Sequence, residues 1–506
     1  MRATWFGGFA LALALPFVLG APPAYAQKAN DTLRIAWRDA IPNVDFYYNS
    51  LRTGLVVSHH VWDTLIYRDP ETFQLKPLLA TNWRYTDDTT LEFELRAGVK
   101  FHDGSAFTAD DVVYTITALK SDKQVAVPSN FAFIDSAEKI DDLHVRIKLK
   151  QVFPAALEYI SMVLPIYPHE YRERVGRDAF SQHPVGTGPY KITNINGTTQ
   201  IDLVRNDDYF DSPKGRPAIK TLIIKEVADA TGELTSLLGN QADWIWQFSP
   251  DQVENLTRVP TLQVLRNESM RVAYMNMDSA GRTGDTPLKN VKVRQAIMHA
   301  VDRVTMARQF MPGGSRVLDA PCFPTQFGCD QAIAVKYDYD VAAAKALMKD
   351  AGYPDGFDTE LVSYLLPQWS GALQNYLAAI GIRAKVSQLQ VGAVIQRSVA
   401  GQNPLEGGTW GSYSINDVSA FLPYYFSGTP QDYTRDPEVI RLVNEGGSVT
   451  DADKRRTAYS AAIKRITENA DFMPLFTFVT TYAMNKGLNF KTFRDEMPRF
   501  YLASWK

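Results

Sequence analysis

Residues 95–113 read LRAGVKFHDGSAFTADDVV and combine signals for a strand, a turn and a helix. Just before them, Leu91–Leu95 alternates apolar and polar side chains, which predicts a half-buried strand. Thr108 and Asp111 have the spacing of a capping box, so we expect a helix to begin there. Its apolar face would carry Val112, Val113, Ile116 and Leu119.

The rest of the chain continues this mixture of strands and helices. Leu33, Ile35 and Trp37 alternate with polar residues, as do residues 145–149, and both patterns predict strands. Downstream of about residue 285, helical spacing predominates. Asp340 is a candidate N-cap, Gly352 a candidate helix end, and residues 382–386 alternate as a strand after Gly381. Helix followed by strand across a short turn favours an α/β fold.

The N-terminal segment has the features of a secretory signal. Arg2 is followed by an apolar stretch from Trp5 to Leu19 and by the small-residue motif Ala24-Tyr25-Ala26. We expect residues 1–26 to be cleaved after Ala26. No cysteine lies near this site for lipid attachment, so we expect release into the periplasm as a soluble protein. No later apolar run approaches the roughly 20 residues of a membrane span.

Charge and composition exclude some classes of partner. The chain has 53 Lys and Arg against 56 Asp and Glu, and no basic tract suited to nucleic acid. Its 9 Trp and 24 Tyr supply flat, partly polar surfaces that serve ligand pockets and ordinary cores alike. We expect a monomer that needs no cofactor.

The two cysteines are predicted to pair. Cys322 and Cys329 lie in a short Pro/Gly-rich segment, and an oxidising compartment favours a disulfide between them. The small ring would brace a loop and contribute little to global stability. A metal site would need further ligands nearby, and the sequence offers none.

Several ordered motifs together resemble the family 5 extracellular solute-binding proteins of ABC importers, which bind dipeptides, oligopeptides, opines or nickel. The motifs are PLLATNW at 77–83, the 95–113 stretch, PVGTGPY at 184–190, VKVRQAI at 291–297 with VDR at 301–303, and AGYPDGF at 351–357 with IGI at 380–382.

The resemblance implies a two-lobed α/β periplasmic binding protein fold of type II. The lobes would close on a ligand in the cleft between them by hinge motion. The first lobe would span residues 27–273 and include an extra subdomain at about 77–183. The second lobe would span 274–476, and residues 477–506 would return to the first. Candidate crossing points are 271–279 and 476–486.

Three short motifs suggest chemistry but have simpler interpretations. Phe101–Gly104 contains a histidine that tempts a catalytic or metal assignment, yet a structural turn explains it. Gly186, Gly188 and Pro189 lack the lysine and the strand–helix setting of a phosphate loop. The adjacent His59 and His60 would point about 100° apart on a helix, which disfavours chelation.

The family's ligand lies between the lobes, and the resemblance places four segments of this chain around it. They are the loop after the first strand, 37–48, a segment of the first lobe, 244–248, and two loops of the second lobe, 363–370 and 410–417. These segments are rich in aromatic residues, as an apolar pocket with a few polar anchors requires. The candidate ligand-binding residues are Trp37, Asp45, Tyr47, Trp246, Tyr364, Trp369, Trp410, Tyr413, Ser414 and Asp417.

Two departures from the dipeptide-binding members bear on the ligand. Those members hold the α-amino group with an Asp in the fourth segment, where this chain aligns Ser414, with Asp417 close by. They hold the carboxylate with an Arg in the third segment, where residues 362–370 contain no Arg or Lys. A free dipeptide would then be poorly held, whereas longer peptides and peptide-like, opine-like or sugar-containing solutes remain open. The second-lobe segments carry no His for nickel.

The sequence thus predicts the binding component of an ABC importer, which captures a solute and delivers it to permease subunits in the inner membrane. A secreted hydrolase is the rival from another class, but the chain has no Gly-x-Ser-x-Gly or His-Glu-x-x-His motif. A ligand sensor or chaperone built on the same fold is the third reading.

Overall fold

The structure is a computed structural model, and it describes residues 31–506. The predicted signal peptide and its cleavage site lie outside these residues. Within them, no helix is both long and apolar enough to cross a membrane.

The described residues form a mixed α/β architecture. Its strands are β1 Thr32–Trp37, β2 Ile66–Arg68, β3 Leu75–Pro77, β4 Ala80–Asp87, β5 Thr90–Leu95, β6 Ile134–Asp141, β7 His144–Leu149, β8 Tyr190–Asn196, β9 Gln200–Arg205, β10 Thr221–Glu226, β11 Trp244–Trp246, β12 Leu262–Met277, β13 Phe357–Ser363, β14 Ile382–Gln388, β15 Leu405–Trp410, β16 Phe472–Asn485, β17 Leu488–Asn489 and β18 Ser504–Trp505. Its helices are α1 Arg52–Val61, α2 Ala109–Ser121, α3 Ala156–Val163, α4 His169–Gln182, α5 Ala230–Leu238, α6 Pro250–Thr257, α7 Val291–Ala300, α8 Arg303–Phe310, α9 Val341–Asp350, α10 Pro367–Ala378, α11 Val391–Val399, α12 Leu422–Phe426, α13 Pro437–Ser448 and α14 Ala452–Glu468.

One ten-stranded sheet runs through both lobes in the order β14-β13-β15-β12-β16-β11-β1-β10-β9-β8. The long antiparallel strands β12 and β16 occupy its middle and contain most of the predicted crossing points between the lobes. Near one end β16 pairs with β11, and near the other end β12 pairs with β15. The predicted crossing segments fall largely within these two strands. The predicted lobe bounds stay predictions.

A separate four-stranded sheet, β4-β5-β7-β6, lies within the region where we expect the extra subdomain. Its buried face carries Leu91, Phe93, Val145 and Ile147, the apolar positions of the alternating patterns. Helix α2 packs beside it and buries Val112, Ile116 and Leu119, while the predicted face residue Val113 is only half-buried. The predicted strands and helix are therefore confirmed, and the period-2 and period-3.6 patterns explain their packing.

The predicted helix ends are also confirmed. The carboxylate of Asp111 accepts the backbone N–H of Thr108 at 2.8 Å, which is one half of the capping box. Asp340 accepts the N–H of Ala343 at 2.9 Å and begins α9. Gly352, after that helix, has a φ of +88°, which glycine adopts readily.

One predicted segment is corrected. We expected residues 363–370 to form a loop, but α10 begins at Pro367, so the connection after β13 is only residues 364–366. Proline suits the first turn of a helix because its ring presets φ and its missing N–H has no partner there anyway. Trp369 consequently lies on the helix, 1% exposed, stacked on Phe310 in the second-lobe core.

Candidate functional site

The third and fourth predicted segments meet at one edge of the sheet. Strands β13 and β15 are parallel neighbours, and Ser363 lies opposite Gly407. Their carboxyl ends therefore place Tyr364 against the last residues of β15, which ends at Trp410. The Tyr364 hydroxyl donates to the Thr409 carbonyl at 2.6 Å and accepts the Thr409 N–H at 2.9 Å. This edge, at the carboxyl ends of parallel strands, is where open α/β sheets place their ligands.

The first-lobe candidates lie deeper. Trp37 ends β1 and is fully buried, and Trp246 ends β11 at 3% exposure, tilted against Trp244 and Tyr482. Asp45 accepts the Tyr167 hydroxyl at 2.8 Å and pairs with Arg172, and the Tyr47 hydroxyl donates to the Pro165 carbonyl. Burial alone does not decide whether these residues and Trp369 touch a ligand, because closure of the lobes would also bury the residues that touch it. Their ligand contacts therefore stay predictions.

The segment after β15, residues 411–419, reaches across to the first lobe, and we call it the bridging loop. Its Ile415 belongs to the first-lobe core, and Tyr413 packs against the edge of that core. The Ser414 hydroxyl accepts from Arg52 at 2.5 Å and donates to the Asp495 carbonyl at 2.5 Å. The Asn416 N–H donates to Glu158 at 2.7 Å. With the predicted lobe bounds, the two lobes touch directly through this loop.

The bridging loop has an unusual backbone. Ser412, Tyr413 and Ser414 have φ values of +49°, +46° and +65° in succession, a region that residues with a Cβ rarely enter. Each such residue costs about 1–3 kcal/mol and persists only where its surroundings impose it. Strained loops of this kind concentrate at ligand clamps, which supports the placement of Tyr413 and Ser414 in the candidate site.

The segment closed by the Cys322–Cys329 disulfide packs against the bridging loop. The two cysteines are joined, with Cα atoms 5.8 Å apart. Within their ring, the Gln326 amide donates to Ser412 Oγ at 3.1 Å and to the Ile415 carbonyl at 2.9 Å. Phe327 exchanges backbone hydrogen bonds with the same loop, at Asn416 and Val418. The disulfide ring therefore braces the left-handed turn.

We expect replacement of both Cys322 and Cys329 by serine to weaken solute binding by up to about tenfold. Without the disulfide, the bridging loop would be less ordered in the solute-free protein. Ordering it would then cost free energy on binding. Calorimetric affinities of the variant and the wild type provide the measurement. Thiol titration of the wild type, denatured without reductant, should find no free thiol. Unchanged affinity would mean that the brace does not serve the site.

Asp417 already has a partner. Its carboxylate lies 2.8 Å from Arg455 and also accepts the N–H of Ser419 at 2.9 Å. Arg455 in turn stacks over Phe327. Since one oxygen serves the guanidinium and the other the backbone, Asp417 holds the loop together, and its predicted ligand contact stays a prediction.

Three charged residues at the lobe crossing were not among the predicted site residues: Arg52, Arg271 and Glu496. Glu496 is 2% exposed and lies between the two arginines. Burial raises the pKa of Glu496, but the guanidinium charges outweigh it and the net shift is downward. Burial lowers the pKa of Arg52, and the neighbouring Arg271 lowers it further. No sequence motif marks these residues, because they come from α1, β12 and the C-terminal segment.

A second buried charge cluster adjoins the first. Asp495 is fully buried between Arg68 at 3.0 Å and Arg499 at 2.6 Å, and Arg68 also pairs with Glu158. Burial raises the pKa of Asp495, but Arg499 and Arg68 outweigh it and lower it to about 2. Arg68 also donates to the Ser414 carbonyl, so this cluster supports the bridging loop from the first lobe.

A small apolar pocket lies beneath Tyr413. Phe46, Tyr47, Leu51 and Phe131 line it from the first lobe. Its volume is about 10 Å³, roughly room for one water molecule and far below the roughly 300–1,000 Å³ of small-molecule sites. It brings Tyr47 and Tyr413, two predicted site residues, to one cavity.

The two histidines at the end of α1 make protein contacts. His59 bonds the Met162 carbonyl at 2.9 Å, and His60 bonds Val56 and accepts the Phe500 N–H. Burial lowers the pKa of both, that of His60 to about 3, so burial favours the uncharged form of each ring. Residues 31–506 contain no group of three or more His, Cys, Asp or Glu suited to a metal ion.

The turn at Phe101–Gly104 and the glycine segment at 186–188 contact each other. The backbone of His102 donates to the Gly186 carbonyl at 2.8 Å, and its ring bonds the Gly188 carbonyl at 3.0 Å. A Cβ on Gly186 would lie 2.1 Å from the Val61 carbonyl oxygen. Glycine is therefore required for the chain to pass the end of α1 closely, and this close contact accounts for the motif.

The fold and the edge of the sheet define a two-lobed binding protein, and comparisons with known proteins identify its family. Residues 74–433 match the model of the bacterial extracellular solute-binding proteins, family 5, middle region. The chain belongs to this family.

Individual relatives agree with the assignment. Heme-binding protein A of Haemophilus influenzae is 30% identical over 330 residues, which cover 60% of this chain and 58% of that protein. The glutathione-binding protein GsiB of Pectobacterium atrosepticum is 27% identical over 430 residues, 80% of each chain. The solved structure of HbpA2 from Haemophilus parasuis superposes with a TM-score of 0.81 at 24% identity and covers 94% of this chain and all of that one. At this identity the structural likeness concerns the fold alone.

Proposed function

We propose that the chain is the periplasmic solute-binding component of an ABC importer, which captures a peptide or a peptide-like or opine-like solute and delivers it to the membrane permease. The family match over residues 74–433 carries this proposal. The glutathione-binding relative, similar over four-fifths of both chains, supports a peptide-like solute.

The architecture supports capture between the lobes. The long strands β12 and β16 connect the predicted lobes, and the bridging loop adds a direct contact between them through Ser414 and Arg52. Hinge closure of this kind buries a solute against both lobes and presents a closed form to a partner. The direct polar contacts of Ser414 and Asn416 with the first lobe would be present when the lobes are closed and absent when they separate.

Native mass spectrometry of the protein purified from a periplasmic extract tests the proposal. We expect a peptide-like solute bound at one molecule per chain. Adding the identified solute at a hundredfold excess over its dissociation constant should stabilise the fold by about 2.7 kcal/mol through mass action. Turnover of the bound compound would favour the hydrolase alternative. A sugar-containing solute would favour the alternative that the protein serves the import of a solute that is not peptide-like.

Export provides an independent prediction. Cleavage after Ala26 should release a chain that begins at Gln27, because the small-residue motif ends there. Intact-mass measurement of the exported protein checks this result. A retained N-terminus, or the added mass of a lipid, would contradict release as a free periplasmic protein.

A further inference from the structure

Arg271 lies at an irregularity of the sheet where the chain passes between the lobes. The pairing of β12 with β16 shifts register between Ser269 and Val272, so Met270 and Arg271 fall outside the regular ladder. Irregularities of this type bend a strand and redirect its side chains, and they are frequent beside functional sites. The Arg271 side chain remains 26% exposed.

A second guanidinium converges on the same place. Arg271 Nη2 lies 2.9 Å and Arg52 Nη2 3.7 Å from the same oxygen of Glu496. A Cβ built on Gly411 would lie 2.8 Å from Arg52 Nη2 and 3.8 Å from Arg271 Nη2. Both cations therefore flank the first residue of the bridging loop, directly after Trp410.

The local charges do not balance. Glu496 is the single carboxylate that forms an ion pair with either arginine within residues 31–506, and its other oxygen accepts from Thr480 at 2.9 Å. Asp39 also raises the pKa of Arg271, but its side chain is exposed and accepts a hydrogen bond from the Thr53 hydroxyl. Two partly desolvated guanidiniums thus share one carboxylate, an arrangement that costs free energy until a further anion arrives.

Arg271 also has unused hydrogen-bonding capacity. Its Nε and Nη2 donate to Glu496, while Nη1 makes no hydrogen bond to residues 31–506. The aromatic surroundings are suited to a small solute: the guanidinium lies over the Phe478 ring at 5.7 Å, and Trp410 pairs with the adjacent Val272. Tyr364 lies nearby along the sheet edge, where its hydroxyl bonds the backbone of Thr409, the residue before Trp410.

We infer that the solute carries a carboxylate that binds Arg271, with Arg52 completing the charge balance. This inference rests on the proposed function and narrows its substrate class to anionic solutes. Arg271 supplies from β12 the guanidinium that residues 362–370 lack. The buried Asp417 is committed to Arg455, so no free carboxylate in the bridging loop awaits an ammonium group. N-blocked or γ-linked peptides and opine-type acids therefore fit better than ordinary dipeptides.

Matched pairs of solutes test this inference. The probes are glutathione, N-acetylated dipeptides and N-carboxyalkyl amino acids. Each is compared, by calorimetry and thermal shift, with the derivative in which every carboxylate is converted to an amide. We expect at least one acid to bind the wild type about tenfold to a hundredfold more tightly than its amide, the range for hydrogen bonds to a charged group. Arg271→Gln should remove most of this discrimination.

Two further variants separate the explanations. Arg266→Gln removes the same charge from an exposed position on the same strand and should leave the discrimination intact. Arg271→Lys keeps the charge but loses the planar fork, so acids should remain preferred at reduced affinity. It also provides a folded comparison if the glutamine variant is unstable.

The outcomes are distinguishable. Equal affinity for acid and amide in the wild type, or discrimination that survives in Arg271→Gln, overturns the carboxylate site while solute binding itself stands. No binding of any acid or amide in the panel overturns the peptide-like and opine-like substrate class, and the inference with it.

Discussion

Replacement of Asp495 by asparagine is expected to lower the free energy of unfolding by about 3–5 kcal/mol, the range for removing one partner of a buried ion pair. The carboxylate is fully buried and serves both Arg68 and Arg499. Its loss leaves Arg499 without an ionic partner in the described chain and Arg68 with Glu158 alone. Urea unfolding at neutral pH measures the change.

The effect should depend on pH with a defined sign. The pKa of Asp495 is about 2 in the folded protein, below the roughly 3.9 of an unfolded aspartate. Its ionised form therefore stabilises the fold fully above about pH 4, and this contribution is lost as the pH falls towards 2. The gap between wild type and Asp495→Asn should accordingly narrow at pH 3.

Asp207 offers a matched control. Its pKa is likewise lowered to about 2, by Arg216 and Arg205, but its side chain is 57% exposed. Solvent screens exposed ion pairs, so Asp207→Asn should cost far less stability than Asp495→Asn. Equal losses in the two variants would contradict the role assigned to the buried cluster.

Trp410→Ala is expected to raise the solute dissociation constant about tenfold to a hundredfold, as truncation of an aromatic anchor does. Trp410 ends β15 beside Tyr364 and lies 4.7 Å from the Tyr424 ring, partly exposed. Its position at the edge of the sheet means that binding should suffer more than folding. Calorimetry and the melting temperature of the solute-free protein give the two readouts.

Trp246→Ala provides the comparison. Trp246 is 3% exposed and packs on Trp244 and Tyr482, so its removal should cost about 3–5 kcal/mol of stability. A loss of affinity in addition would support its predicted contact with the solute. If Trp410→Ala leaves affinity unchanged and lowers the melting temperature as much as Trp246→Ala does, Trp410 is a packing residue.

Local patterns predicted the local structure well. The alternation in residues 91–95, the capping residues Thr108 and Asp340, and the glycine at 352 each act through neighbours within a few positions. Such signals are complete in the sequence because the interactions that they describe are local. The predicted loop at 363–370 is wrong for a reason that is also local, because Pro367 in the first turn of α10 is itself a helix-start signal.

The charged centre of the site was not predictable in this way. Arg271 and Glu496 are 225 positions apart, and they meet because β12 loses its register with β16 next to the C-terminal segment. No composition or spacing signals a bulge of this kind. The third segment contains no arginine, and the guanidinium that we infer in its place comes from β12, near Gly411 of the bridging loop.

Isothermal titration calorimetry of the purified protein with the solute found by native mass spectrometry tests the central claim most directly. The account predicts saturable binding of one peptide-like or opine-like anion per chain, without chemical conversion, and weaker binding of ordinary dipeptides. Absence of saturable binding, or recovery of the solute as a reaction product, would contradict it.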